Sequence, residues 1–395
     1  MISFDEAIAL IAANVKPLEA ERVSLADAHG RVLAEPVSAA VSSPRCDVSA
    51  MDGYALRDAD AAVGKSFRVI GKSFAGGKVP PVVGPGETVR IFTGAPLPEG
   101  ADRVIIQENC KADDGEMQIV NEYGPGWHVR KQGSDFASGS TILPAGTRLG
   151  PRAMVALAGA DCGEATVYRR PQLSIVATGD ELVQPGTAHT RPASMIPESG
   201  SFGVAALAAE AGAQVTKRIS GADCISTLEQ AAGEALAAAD IAVVIGGASV
   251  GEKDYAKTMF EAHGLELIFA KVAIKPGKPV WLGKAGTKLV FGLPGNPTSA
   301  MVTAALLLRP VLARLQGVES GDVQSWRKLP LAAPLPATSS RETFVRAHWG
   351  SDGLTPVSNQ DSGAQAALVA ADWLIRCPAD QAEKPAGASI DATPF

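Results

Sequence analysis

The chain is poor in the residues that carry soft-metal chemistry. Its five cysteines, Cys46, Cys110, Cys162, Cys224 and Cys377, are scattered over 395 residues, and no CxxC pair occurs. An odd, dispersed set suits a reducing cytoplasm and offers no thiolate metal site. The five histidines are equally dispersed, which argues against a zinc enzyme. Positive charge is not in excess either. The formal net charge is −6, so no basic surface for nucleic acid is implied. The apolar run Ala300 to Leu308 is too short to span a bilayer and stops at Arg309-Pro310. Asp5 and Glu6 directly precede the first apolar residues, which a secretory signal would not tolerate. These absences predict a cytoplasmic protein with no membrane and no nucleic-acid partner.

What is present is ordinary globular material, 46% hydrophobic and 20% charged, long enough for about two to four domains. Ser3-Phe4-Asp5-Glu6 reads as a capping box that starts a helix running to about Ala13. From residue 41 to 139, short runs such as Ser66 to Ile70, Thr88 to Phe92, Arg103 to Gln107 and Met117 to Val120 alternate with Gly and Pro clusters. That texture is a β-rich module. Residues 140–170 return to helix and short strand. They are expected to rejoin residues 1–40 as a discontinuous mixed helical domain, with the β module inserted into it. From 171 to 317 strands and helices alternate, which predicts a doubly wound α/β domain. Within it, Leu265 to Ala273 reads as one strand and Asp254 to Ala262 as a helix. Residues 327–395 read as a small C-terminal β module, barrel-like in character. The chain as a whole is therefore an α/β multidomain protein.

The stretch Asp240 to Asp254 anchors the α/β domain. Ile241 to Ile245 is an unbroken apolar run, suited to a strand buried on both faces of a parallel sheet. It stops on Gly246-Gly247, and Ser249, Glu252 and Asp254 follow. Ligands of open α/β sheets bind at that edge. Three further polar clusters are expected at the same edge: Thr178-Gly179-Asp180-Glu181, Lys275-Pro276-Gly277-Lys278-Pro279, and Pro294-Gly295-Asn296-Pro297-Thr298-Ser299. Glu181 and Asp254, with Asp223 nearby in the pattern, supply carboxylates of the kind that hold Mg²⁺ beside substrate phosphates. Lys275, Lys278, the N–H groups of Gly295 and Asn296 and the start of the closing helix supply an anion site. A metal-bridged phosphate or another tetrahedral oxyanion follows from the two together. Each cluster alone also reads as plain turn or helix-start chemistry, and Asp52, beside Gly53 in the β module, reads by spacing as a turn residue.

Familiar phosphate motifs do not fit. Gly246 and Gly251 have P-loop spacing, but Glu252 stands where Lys is needed and Lys253 comes one residue late. No G-x-G-x-x-G follows a strand.

Six motifs together resemble the molybdopterin molybdenumtransferases, the family related to the E domain of gephyrin, over essentially the full length. They are Ser-Ala-Met-Asp-Gly-Tyr-Ala (49–55), Thr-Gly-Ala-Pro-Leu-Pro-Glu-Gly-Ala-Asp (93–102), Thr-Gly-Asp-Glu-Leu (178–182), Ser-Val-Gly-Glu-Lys-Asp (249–254), Lys-Pro-Gly-Lys-Pro (275–279) and Gly-Leu-Pro-Gly-Asn-Pro (292–297). The resemblance implies Mg²⁺-dependent insertion of molybdate into adenylylated molybdopterin, releasing AMP and molybdenum cofactor. It implies a homodimer whose active site is shared between subunits, and contact with the molybdopterin adenylyltransferase. Carried over by position, it implies catalytic roles for Asp52, Glu181, Asp223, Asp254, Lys275 and Lys278, with Glu181, Asp223 and Asp254 on the metal. Substrate contacts are implied for Asp135, Thr178, Gly179, Gly246, Gly247, Ser249, Pro294, Gly295, Asn296, Pro297 and Ser299. Arg341, Arg346 and Ser362 are candidates for holding molybdate.

The chain departs from the family pattern at Val48, Glu198-Ser199-Gly200, Cys224, Ala248 and the segment Asp361 to Gln365. Two other readings stand beside the first: adenylyl transfer to molybdopterin, and a non-catalytic cofactor-binding scaffold. The β modules argue against the former and the intact acidic and lysine clusters against the latter.

Overall fold

The computed structural model describes residues 1–221, 223–247, 255–319 and 323–395. Contacts divide the chain into two compact units. One comprises Arg22–His29 and Glu35–Thr166, the other Met1–Glu21, Gly30–Ala34 and Val167–Phe395.

The first unit is built on a six-stranded sheet of short strands. They are β1 (Gly53–Leu56), β2 (Ser66–Ser73), β3 (Glu87–Ile91), β4 (Arg103–Ile106), β5 (Cys110–Asp113) and β6 (Glu116–Ile119), in the order β4-β1-β3-β2-β6-β5. Only β2 and β3 run parallel; the other pairs are antiparallel. Each of the four apolar runs expected in this region is a strand here. Tyr54, Leu56, Phe67, Ile105, Met117 and Ile119 form one small core.

The second unit opens with α1 (Phe4–Asn14). Its capping box is complete: Glu6 N donates to Ser3 Oγ, and Ser3 N donates to Glu6 Oε2. Its sheet contains β7 (Gln172–Thr178), β8 (Gln214–Gly221), β9 (Ile241–Ile245), β10 (Leu265–Phe269), β11 (Trp281–Ala285) and β12 (Lys288–Leu293). The order is β8-β7-β9-β12-β11-β10. The first four strands are parallel, and β11 and β10 then alternate in direction. Between them run α2 (Gly200–Glu210), α3 (Ile225–Ala237) and a closing helix, α4 (Pro297–Leu315).

β9 shows why the sheet is doubly wound. All five of its residues are buried. Ile241, Val243 and Ile245 join the core that includes α1, α2 and α4. Ala242 and Val244 point to the opposite core, against Leu228, Ala231, Ala232 and Ala235 of α3. Side chains alternate across a strand, so an uninterrupted apolar run feeds both faces. Each fully buried Val or Ile contributes about 1.5–3 kcal/mol of transfer free energy.

α4 is not a uniform helix. Its middle, Ala304–Leu308, is a π turn, and Pro310 lies two residues after the turn ends. A proline inside a helix leaves the carbonyl four residues earlier without its N–H partner. Here that carbonyl is Leu306 O, and the buried side chain of Gln324 donates its Nε2–H to it. By length and composition α4 passes for a membrane span, yet most of it is packed inside the unit.

A third sheet follows from β13 (Arg327–Pro330), β14 (Glu342–Gly350), β15 (Trp373–Cys377) and β16 (Ser389–Pro394). A two-residue strand, Ile274–Lys275, adds to it in parallel with the start of β14. This corrects the single strand expected over Leu265 to Ala273. β10 ends at Phe269, Val272 bridges Ile2, and the chain then crosses to the C-terminal sheet. The helix expected over Asp254 to Ala262 is, in its described part, one turn, Thr258–Glu261. A short helix at Gln365–Val369 was not anticipated.

Candidate active site

The parallel strands β7, β8, β9 and β12 end on one edge, and their ends open into a cavity of about 600 Å³. Thr178, Gly179 and Glu181 come from the end of β7, and Asp223 follows β8. Gly246 and Gly247 follow β9, and Pro294, Gly295, Asn296 and Pro297 follow β12. Residues of the Thr178 to Glu181 and Pro294 to Ser299 clusters therefore do meet at this edge, together with the Gly246-Gly247 turn. Ser249 and Asp254 lie outside the described residues.

The turn after β9 is tightly fitted. Gly246 has φ +102°, and a Cβ on it would lie 2.7 Å from Thr178 O and 2.8 Å from Thr178 Oγ1. Gly295 packs on the same residue: a Cβ there would meet Gly246 Cα at 3.3 Å. Three strand ends are thus held in backbone contact, and this places the polar residues beyond them.

The acidic wall is formed by Glu181 and Asp223. Glu181 folds back over its own turn, with its carboxylate oxygens 2.7 and 2.8 Å from where a Cβ of Gly179 would be. Asp223 N donates to Asp180 Oδ1 at 2.9 Å. Asp180, a member of the expected cluster that was given no role of its own, therefore ties the β7 turn to the β8 turn. Among the described residues no group of three His, Cys, Asp or Glu side chains gathers as a metal cluster. Cys224 sits at the N-cap of α3 with Sγ 3.3 Å from Ser226 Oγ. Contacts with Ser226 and Thr227 draw its thiol below the ordinary range.

The opposite wall is the start of α4. Asn296 is its N-cap but makes no side-chain cap, and Pro297 occupies the first turn. Thr298 Oγ1 is buried with no partner among the described residues. An uncapped N-terminus presents N–H groups and a positive dipole end to an anion. Asn296 instead donates its Nδ2–H to Ser362 Oγ at 2.9 Å, which links α4 to the C-terminal module.

Lys275 and Lys278 line a second cavity, of about 1050 Å³, rather than the first. The loop does lie at the expected sheet edge, between the end of β10 and the start of β11. Pairing of Ile274–Lys275 with β14 turns its lysines toward the C-terminal module, and Pro279 borders both cavities. Ser299, Arg341 and Ser362 line the second cavity as well. Arg341 Nη1 donates to Ile274 O at 3.3 Å, so it braces the lysine loop. Cys377 also lines this cavity, and burial pushes its thiol up to about 11, which keeps it protonated at neutral pH.

Arg346 lies on β14, and its Nη1 finds no partner among the described residues. It is 1% exposed and lines neither cavity. Its guanidinium donates to Asn359 O and Asp361 O, each at 3.1 Å, and to Gln360 Oε1. It shapes the loop that carries Ser362.

Asp52 and Asp135 belong to the other compact unit. Asp52 Oδ1 accepts hydrogen bonds from Thr93 N and Thr93 Oγ1, both at 2.7 Å. These bonds, the backbone N–H first, hold its carboxyl below the ordinary range. Asp135 is exposed, and its N–H donates to Ser43 O.

Two residues of the Glu198-Ser199-Gly200 departure, a segment the resemblance ties to pterin or nucleotide contacts, also line the first cavity. Glu198 is 5% exposed, and Ser199 has a buried hydroxyl without a partner among the described residues. The signal for them was weak: a short Pro-Glu-Ser-Gly run before a helix looks like ordinary helix-start chemistry.

Three family models match the chain. The MoeA N-terminal region (domains I and II) matches residues 2–160, a probable molybdopterin binding domain 174–314, and the MoeA C-terminal region (domain IV) 328–395. A molybdopterin molybdenumtransferase of Nostoc is 34% identical, over 85% of this chain and 79% of that protein. The Haemophilus influenzae protein of the same name is 32% identical, over 96% of this chain and 95% of its own. A solved molybdopterin biosynthesis MoeA protein from Pyrococcus horikoshii superposes with TM-score 0.83 at 28% identity, covering 100% of this chain and 99% of that one. The chain belongs to the molybdopterin molybdenumtransferase family.

Proposed function

We propose that the chain inserts molybdate into adenylylated molybdopterin in a Mg²⁺-dependent reaction that releases AMP and molybdenum cofactor. The observation that carries this reading is the pair of bordering cavities. One joins the carboxylates of Glu181 and Asp223 to the uncapped start of α4. The other holds Lys275, Lys278, Ser299, Arg341 and Ser362. The first suits a phosphoanhydride, and the second suits a tetrahedral dianion. Glu181 and Asp223 fit Mg²⁺, which takes one or two protein carboxylates and fills its shell with substrate oxygens and water. Bound there, Mg²⁺ would neutralise phosphate charge. Asp254 is proposed as a third carboxylate and Ser249 as an anion contact. The chain's own contribution is positioning and fixed electrostatics, with no covalent nucleophile.

The proposal extends to assembly. The protein acts as a cytoplasmic homodimer, and Asp52 and Asp135 of one protomer complete the site of its partner. It docks with the molybdopterin adenylyltransferase, which supplies the adenylylated substrate. The two hydrogen bonds from Thr93, which fix Asp52 Oδ1 and lower its carboxyl, support a role beside a metal or a cationic group.

The test uses purified protein with adenylylated molybdopterin, molybdate and Mg²⁺. AMP and active cofactor should appear together. Glu181→Gln and Asp223→Asn should each lower turnover about 100-fold or more, the scale of losing one preorganised electrostatic group. Absence of AMP release by the parent protein overturns the proposal. Mixing inactive Asp52→Ala and Asp223→Ala dimers under subunit exchange should restore activity that neither shows alone; no restoration removes the shared site.

A further inference from the structure

We propose that Asn296 couples the two cavities: a phosphate at the start of α4 holds its side chain on Ser362, and this aims the Ser362 hydroxyl at an oxyanion in the second cavity. The inference rests on the function proposed above and adds an order to it, in which the phosphate-bearing substrate tightens the hold on molybdate.

Asn296 is the N-cap of α4, with the extended backbone (φ −67°, ψ 122°) that lets a side chain fold back on its own helix. Its carbonyl already accepts the first intrahelical bond, from Ala300 N at 2.9 Å. Pro297 has no N–H, so Thr298 and Ser299 carry the N–H groups that an N-cap side chain would satisfy. The Asn296 side chain satisfies neither. It donates instead from Nδ2 to Ser362 Oγ at 2.9 Å. The side chain therefore has two uses, and the structure shows the second.

An anion at the helix start competes for the first use, because it takes the same N–H groups. The first cavity is where it would sit. Asn296 and Pro297 line that cavity, and so does Thr178, whose buried hydroxyl has no partner among the described residues. Buried polar groups are normally satisfied, so an orphaned one on a cavity wall marks a place for a ligand atom.

Ser362 carries the effect across. With Gln360 and Asp361 it lines the second cavity, beside Lys275 and Lys278. An amide nitrogen can only donate, so the serine oxygen accepts from Asn296 and its own proton is directed elsewhere. Among the described residues nothing accepts that proton. A tetrahedral oxyanion offers acceptors only. Ser299, 5% exposed and one helical turn after Asn296, lines the second cavity too, so the start of α4 touches both. When Asn296 folds back onto its helix, the Ser362 hydroxyl loses the partner that orients it. Asn296 is thus a positioning residue that acts through Ser362.

The sign of the coupling is diagnostic. Phosphate and molybdate are both anions, so charge alone would make each weaken the other. The Asn296–Ser362 bond makes each tighten the other, by the same factor, as linkage requires.

The test measures molybdate binding by isothermal titration calorimetry, without turnover. It is run alone, with saturating AMP, which carries a phosphate, and with adenosine, which does not. In the parent protein AMP should tighten molybdate at least about fivefold, the lower end of ordinary coupling between sites, and molybdate should tighten AMP equally. Adenosine should leave molybdate affinity unchanged. Asn296→Ala and Ser362→Ala should each abolish the tightening, whatever they do to either ligand alone. Ser362→Thr, which keeps the hydroxyl, should retain it. A purely structural role would lower both affinities and leave the coupling factor standing. A parent protein in which AMP does not tighten molybdate, or tightening that survives both alanine variants, overturns the inference. Should Asn296→Ala fail to fold, Ser362→Ala and Ser362→Thr, changes at a half-buried loop residue, decide it. If the parent binds neither AMP nor molybdate, the proposed function falls and this inference with it; if it binds both without positive coupling, the inference alone falls.

Discussion

Replacing Gly246 by alanine tests the idea that the strand-edge turn positions the site. Two costs add. At φ +102° any side chain is strained, by about 1–3 kcal/mol. The new Cβ would also stand 2.7 Å from Thr178 O and 2.8 Å from Thr178 Oγ1, inside any ordinary contact distance. One of these atoms is backbone, so the end of β7 must move, an overpacking cost of about 1–3 kcal/mol. The sum is about 2–6 kcal/mol, or roughly 5–20 °C in the melting temperature for a unit of this size. Gly286→Ala is the control. It has φ +59° and nothing within 4 Å of its Cβ, so it bears strain of about 1–2 kcal/mol alone. Differential scanning calorimetry of both variants separates clash from strain. Because β7 leads directly into Gly179 and Glu181, Gly246→Ala should also lose AMP release at 25 °C, where it remains folded. The reasoning is refuted if Gly246→Ala melts within about 2 °C of Gly286→Ala, or if it is folded and turns over at the parent rate.

Other perturbations probe separate parts of the molecule. Lys275→Ala and Lys278→Ala, both exposed, should raise the KM for molybdate several-fold with little change in melting temperature; a raised KM for the adenylylated substrate alone would reassign the second cavity. Arg346→Met should destabilise the C-terminal sheet by about 2–4 kcal/mol, since carbonyls of Asn359 and Asp361 lose charged donors; calorimetry reads the loss. Asp240 accepts from Arg169 Nη1 at 2.7 Å and from Gln172 N at 2.8 Å. Burial raises its carboxyl, but the Arg169 and Gln172 hydrogen bonds and the Arg169 charge outweigh it, so its folded pKa lies below the ordinary value. Its contribution is therefore complete above about pH 4, the unfolded value, and is lost as pH falls through the lower folded value. Urea titrations of Asp240→Asn should show lower stability at pH 7 and a shallower fall below about pH 4 than the parent.

Local pattern revealed much of this architecture. β9 could be delimited to the residue because a short apolar run bounded by Asp240 and Gly246 has one good solution, a strand buried on both faces. The capping box of α1 was legible because its two hydrogen bonds are three residues apart. The strand-end clusters could be placed at one edge because parallel strands share a direction. What failed was non-local. Ile274 and Lys275 pair with Glu342 and Thr343, far along the chain, where no periodicity in residues 265–279 could point. Arg346, an anion candidate only through the family resemblance, is buried, and only the folded loop of Asn359 to Asp361 supplies the carbonyls to which it donates. The burial of Glu198 was equally hidden: Ser201 donates to it and Arg218 to Ser201, a relation between β8 and α2 that sequence does not display.

The π turn in α4 makes one helix serve two masters. An extra residue in a turn rotates everything beyond it by about 100°. The Pro297–Thr303 half faces the site, and Leu315, at the far end, accepts from Leu18 N. The bulge thus acts as a fixed angular offset between a ligand-facing segment and a scaffold-facing one. Deleting one residue from Ala304–Leu308 would turn Ser299 away from the cavity without shortening the helix by more than about 1.5 Å. Gln324, which caps the one carbonyl that Pro310 strands, pins that offset from outside the helix.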